Sequence, residues 1–133
     1  MKTARDGQSG LLIDDRLLSV QGSNMSSEKS GTEVQKLKTL LQYQDKAVVS
    51  RMLVKNSAGN VTLFAFDGNE GLSEHTAPFD ALVIGIEGSA EIPIAGVVHT
   101  VGEGDALLMP AGVPHAVHPV DGFKMLLIMI RGE

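Results

Sequence analysis

From residue 46 onward, apolar and polar side chains alternate in short runs, the pattern of half-buried strands rather than helices. The runs fall at residues 47–54, 61–66, 81–86, 90–94, 97–101, 106–109, 115–118 and 123–130. Turn-forming residues stand between them: Asn56-Ser57-Ala58-Gly59-Asn60, Glu87-Gly88, Ala95-Gly96, Gly102-Glu103-Gly104 and Asp121-Gly122. Many short strands with glycine-bearing turns predict a sandwich or barrel, so the expected fold class is all-β with a closed sheet.

Two stretches break the alternation. Residues 32–42 place Val34, Leu37, Leu40 and Leu41 on one side with lysines between, and Thr32 stands where a cap belongs. One short N-terminal helix lying on the barrel is expected there. Met125-Leu126-Leu127-Ile128-Met129-Ile130 is apolar at every position, so both faces of that strand should be buried. One face lines the barrel. The other needs cover from the 32–42 helix or from a second subunit, and a homodimer through this sheet is the expectation.

Residues 1–31 are polar and rich in glycine and serine, apart from Leu11-Leu12-Ile13 and Leu17-Leu18. They read as a weakly ordered N-terminal arm, with an alternative start near Met25, preceding a single domain over residues 32–133. The functional alternative is that the arm's apolar patches cover a neighbouring subunit's sheet.

Composition narrows the partners. The 133 residues carry a net charge of −5 and no basic run, which argues against nucleic acid and anionic membrane surfaces. There is no cysteine, so disulfides, thiolate metal sites and a cysteine nucleophile are all excluded. No apolar run approaches the roughly 20 residues of a membrane span, and a cytoplasmic location is the default. A small-molecule ligand or substrate is the partner that remains.

Candidate chemistry gathers around one stretch. Gly104-Asp105 signals a turn, residues 106–109 read as a short buried strand, and Pro110-Ala111-Gly112 reverses the chain before Pro114 and His115. That spacing resembles the second motif of the cupins: glycine, five residues, proline, one residue, glycine, two residues, histidine. The family's closing asparagine is replaced by Pro119. The first cupin motif resembles residues 71–88, where His75 matches the first histidine, but Ala77 replaces the second and Ala81 stands where a glutamate usually falls. The resemblance covers residues 45–131. It implies a jelly-roll (double-stranded β-helix) barrel, with His75 and His115 converging inside it on one divalent transition metal such as Zn, Fe, Ni or Mn.

Two further residues are candidates for the missing ligands. Asp80 lies one residue before the expected glutamate, and a bulge after Pro78 would bring it to the right face. His99 shares a strand face with Val97 and Val101; it is either a third ligand or a strand histidine bonded to backbone or water. His118, three residues after His115, should point outward. Glu74 reads as a solvent charge, and Met109, Met125 and Met129 as core fillers. Two imidazoles alone make an open site with exchangeable positions, able to polarise a bound oxygen if an ion is held. Without an ion they remain a pair that binds a small anion or acts as acid and base. The resemblance fixes no reaction, because similar proteins include isomerases, dioxygenases and decarboxylases. Enzyme and non-catalytic ligand-binding module therefore both stand, and the loss of two ligands at Ala77 and Ala81 favours the binding module.

Overall fold

The computed structural model describes residues 32–132. The expected arm at 1–31 lies outside the described residues. The described chain forms a four-residue helix, α1 (Leu37–Leu40), and seven strands: β1 (Val48–Asn56), β2 (Gly59–Phe66), β3 (Leu72–His75), β4 (Asp80–Ile94), β5 (Val97–Val101), β6 (Ala106–Met109) and β7 (His115–Ile130). All pairings are antiparallel. The strand path runs β1-β2-β7-β4-β5, with β3 attached to β7 and β6 to β4.

The sheet folds over on itself through its two long central strands. The C-terminal half of β7 pairs with β2 and with the start of β4, while its N-terminal half pairs with β3 and the end of β4. Register shifts at Gly85/Glu87 and Gly88/Ala90 mark the fold line. Two expectations change here. Glu87-Gly88 and Asp121-Gly122, expected to be chain reversals, are bends inside continuous strands, so four expected strands become two. Gly88 shows why: it takes φ +75, and a Cβ there would lie 2.0 Å from the Gly122 carbonyl oxygen. The two backbones cross too closely for any side chain, and a bend with a register shift is the result. The expected closed sheet is also not formed, since the path ends at β1 on one side and at β5 and β6 on the other among the described residues.

The first hairpin follows the sequence. Asn56 pairs with Gly59 around Ser57-Ala58, and the Asn56 side-chain oxygen accepts the Ala58 amide at 2.7 Å. The helix is shorter than its periodicity implies. Lys36 precedes it without a side-chain cap, no acidic residue occupies its first turn, and Leu41 is already extended. A helix so short has no stability of its own and is held by what it touches.

It touches the outer face of the sheet. Inside the fold, Phe64, Phe66, Val83, Ile92, Phe123 and Met125 form the main cluster with stacked Phe64–Phe66 and Phe66–Phe123 rings, each pair 5.9 Å apart. Outside it, Leu41 buries Val49, Leu63 and Ala65, with Leu37, Leu40, Tyr43 and Leu126 around them. The all-apolar end of β7 is thus split: Met125, Leu127 and Met129 point inward, and Leu126 lies beneath α1. Between them Lys124 is buried on the outer side, where its ammonium donates to the Lys38 carbonyl and sits 4.8 Å from the Tyr43 ring centre. The Tyr43 hydroxyl donates to Glu87 Oε2 at 2.6 Å, and Glu87 is the strand partner of Lys124. Among the described residues, no helix is long and apolar enough to cross a membrane.

Candidate functional site

His75 and His115 stand directly opposite each other on β3 and β7, with ring centres 4.5 Å apart and planes at 71°. Alternation alone would not bring them together. Leu72 and Val117 are paired core residues, and His75 lies three positions after Leu72 but only two positions separate His115 from Val117. A register irregularity between Leu72 and His75 absorbs the odd step and turns His75 to the inner side. Gly71 lets β3 lie this close to β7, because a Cβ there would meet the Val117 carbonyl oxygen at 2.2 Å.

The loops that carry the two histidines hold each other. Gly112 donates its amide to the Ala77 carbonyl at 2.8 Å, and Ala111 donates to Asp80 Oδ1 at 2.9 Å. Ala95 donates to the Pro114 carbonyl at 2.9 Å, which ties the β4–β5 turn to the same end of the fold.

Both rings are held in the same tautomer. His75 Nδ1 lies 2.7 Å from the Ser73 carbonyl and His115 Nδ1 lies 3.0 Å from the Val113 carbonyl. A carbonyl oxygen only accepts, so each Nδ1 must carry the proton and each Nε2 is left with a free lone pair. His115 is 5% exposed, whereas His75 is open to solvent. Burial pushes the His115 pKa below the ordinary value; the neighbouring His75 adds to that, and the Val113 carbonyl opposes it. His115 is therefore neutral at neutral pH, with its Nε2 lone pair available.

The other candidates fall elsewhere. Asp80 is paired in regular register one residue before the core-facing Ala81, so its carboxylate points to the opposite side and serves the 110–112 turn. The bulge that would turn it inward occurs instead on β3. His99 pairs with the fully buried Ile92 and so shares the inner face, half-buried, in the row next to the one that holds Ile94 and His115. His118 pairs with Glu91 and is exposed. No group of three or more histidine, cysteine, aspartate or glutamate side chains among the described residues is placed to hold a metal ion.

Sequence reasoning passes over Ser50. It pairs with Phe64 and so faces the interior, 1% exposed, and its hydroxyl finds no hydrogen-bond partner among the described residues. The signal for it is its position between Val48 and Met52 on one strand face. A buried hydroxyl with nothing to bond is an exception that calls for a water or ligand atom.

The comparisons with known proteins bear on the fold around this pair. A family model described as "Cupin domain" matches residues 62–131, more than half of the chain. The chain belongs to the cupins. This cupin resembles a conserved protein of unknown function from Streptococcus pyogenes, with 34% identity, a TM-score of 0.72, and coverage of 77% of this chain and 90% of that one. It also resembles a cupin 2 conserved barrel domain protein from Leptotrichia buccalis at 35% identity and TM-score 0.68, covering 71% of this chain and 46% of that one. A cupin superfamily protein from Desulfitobacterium hafniense matches at 27% identity and TM-score 0.72, over 76% and 93% of the two chains. No curated protein matches the chain.

Proposed function

We propose that this cupin binds a small molecule at the His75–His115 pair, through a divalent transition metal (zinc, iron, nickel or manganese) held by the two Nε2 atoms. The observation that supports the reading is the shared tautomer: in both rings Nδ1 is spent on a backbone carbonyl and Nε2 is left free. Metal-bound histidines are oriented in this way, with the second nitrogen donating to a carbonyl or carboxylate. The ring separation of 4.5 Å is compatible with adjacent positions on one ion, given metal–nitrogen bonds of about 2.0–2.1 Å. When bound, such an ion supplies a Lewis acid with several exchangeable positions. The residues themselves orient it and keep one side of it dry.

A second reading is favoured by the donor count. Two imidazoles without a carboxylate make half a shell, which suits ligand binding or sensing better than turnover. In that reading His75 and His115 accept hydrogen bonds from a neutral or cationic head group, and the Ser50 hydroxyl is a further uncommitted polar group on the inner face. The cysteine-free sequence is compatible with the reducing cytoplasm assumed for either case.

Metal analysis of protein purified without a chelating column separates the two, followed by titration with each ion while the imidazole signals are read by NMR. The metal reading expects about one ion per chain and its loss in both His75→Ala and His115→Ala, with the strand spectrum unchanged. Retention of the ion in both variants would refute it. Absence of uptake together with histidine shifts on addition of small ligands would leave the binding reading in force.

A further inference from the structure

The described residues cover only part of the outer face of the sheet. Its rows can be followed across five strands from the pairings. One row is Arg51, Leu63, Leu126, Ile84 and Ala106; Leu63 and Leu126 belong to the cluster roofed by Leu37, Leu40, Leu41 and Tyr43. The next row, farther from the fold line, is Val54, Val61, Ile128, Leu82 and Leu108. Every member is aliphatic. Val54 and Leu108 are 55% and 52% exposed, the central three are half-buried, and Ile130 beyond them is 58% exposed. A continuous apolar band of this kind marks a surface built to be covered.

We propose that residues 11–20 of the same chain cover this row. The chain outside the described residues is long enough to reach the row. Residues 1–31 precede Thr32, and the first described element, α1, already lies on this face over the adjoining row. Residues 11–20 hold Leu11, Leu12, Ile13, Leu17, Leu18 and Val20, the apolar cluster of an otherwise polar arm. The row is about 19 Å wide at roughly 4.8 Å per strand spacing. The residues between Val20 and Leu37 reach as far as about 56 Å when extended. A second copy of the chain is the competing occupant, but a stable protein interface engages about 20–30 residues a side. The open row and Ile130 together offer six, which fits a single short segment.

The absence of cysteine allows a clean test on the full chain. A nitroxide is attached at Lys55→Cys, an exposed position beside Val54, and backbone amide signals are recorded. The proposal expects signals of residues 11–20 to be broadened away while those of residues 1–8 persist, and expects recovery in Leu17→Asp/Leu18→Asp, with chemical shifts changed along the Val54–Val61–Ile128–Leu82–Leu108 row and unchanged in strand residues distant from it. A sample mixing nitroxide-bearing unlabelled chains with isotope-labelled chains lacking the nitroxide tests the source. Broadening in that mixture would place another chain's segment on the row and overturn the proposal. So would sharp signals for residues 11–20 in the directly labelled chain, or a dimer by light scattering that persists in the double aspartate variant.

Discussion

Replacing Tyr43 by phenylalanine removes one oxygen atom and tests how the N-terminal segment is fastened to the sheet. The ring would keep its contacts: it packs against Gly122, where a Cβ would come within 3.0 Å of Tyr43 Cζ, and it lies under the Lys124 ammonium. What goes is the 2.6 Å bond from the hydroxyl to Glu87 Oε2, the length of a charge-assisted O–H···O⁻ bond. Hydrogen bonds to charged groups contribute about 1.5–3 kcal/mol. Glu87 is half-buried and recovers some hydration, so the lower part of that range applies, about 1.5–2 kcal/mol. At about 4–8 °C per kcal/mol for a domain near 100 residues, Tm should fall by about 6–16 °C. Urea melts of wild type, Tyr43→Phe and Lys38→Ala give the comparison. Lys38 forms an exposed pair with Glu103 at 2.7 Å, and its loss should leave the urea midpoint close to that of wild type. The Tyr43 pKa is raised first by burial and then by Glu87, well above its usual range. Its contribution is therefore complete below the unfolded-state pKa of about 10 and fades only as alkaline pH approaches the folded value. A Tyr43→Phe protein within about 0.5 kcal/mol of wild type would refute the argument, because it would mean the bond is matched by water in the free segment.

Three further outcomes rest on single positions. Gly88→Ala should lower stability by at least about 3–4 kcal/mol or prevent folding, since a left-handed φ is combined with a 2.0 Å approach to backbone; Gly96→Ala, at φ +85 with open space around it, should lose only about 1–2 kcal/mol in the same denaturation assay. Ser50→Ala removes a buried hydroxyl that has no partner among the described residues and should leave the metal-free, ligand-free protein unchanged or more stable by about 1 kcal/mol; a loss above about 1 kcal/mol in thermal melts would show that the hydroxyl already has a partner such as a bound water. The depressed His115 pKa fixes the sign of a pH effect: below about 6.5 the unfolded chain takes up a proton that the folded site resists, so stability of metal-free protein declines as pH falls through 6.5 toward the folded pKa and is full above it. Denaturant midpoints across that range should flatten in His115→Gln, and an unchanged slope would assign the effect to other groups.

The period-two alternation and the turn residues carry the strand content, because side-chain direction in a strand is local information. They also carry the 56–60 hairpin, whose asparagine closes its own turn. The spacing of Gly104, Pro110, Gly112 and His115 carries the cupin family, because that motif is a run of consecutive backbone requirements. Local signals do not tell a reversal from a bend. Glu87-Gly88 and Asp121-Gly122 become bends only because each backbone occupies the space the other would need for a side chain, and that crowding exists after the sheet has folded over. The site shows the same division. The two histidines are legible as residue types at motif positions, but their pairing depends on an irregularity between Leu72 and His75, while Asp80, which needs a bulge to face inward, stays in register. Which strand gives up its register depends on which backbone approaches it, here β7 against Gly71. The sequence alone therefore determined most of the strand content, though not β3 or the continuity of β4 and β7, together with the family and the two imidazoles. The tertiary structure decided which faces they share, which nitrogens are left free and which part of the sheet's outer surface the described residues cover, because each of these depends on contacts between segments far apart in the chain.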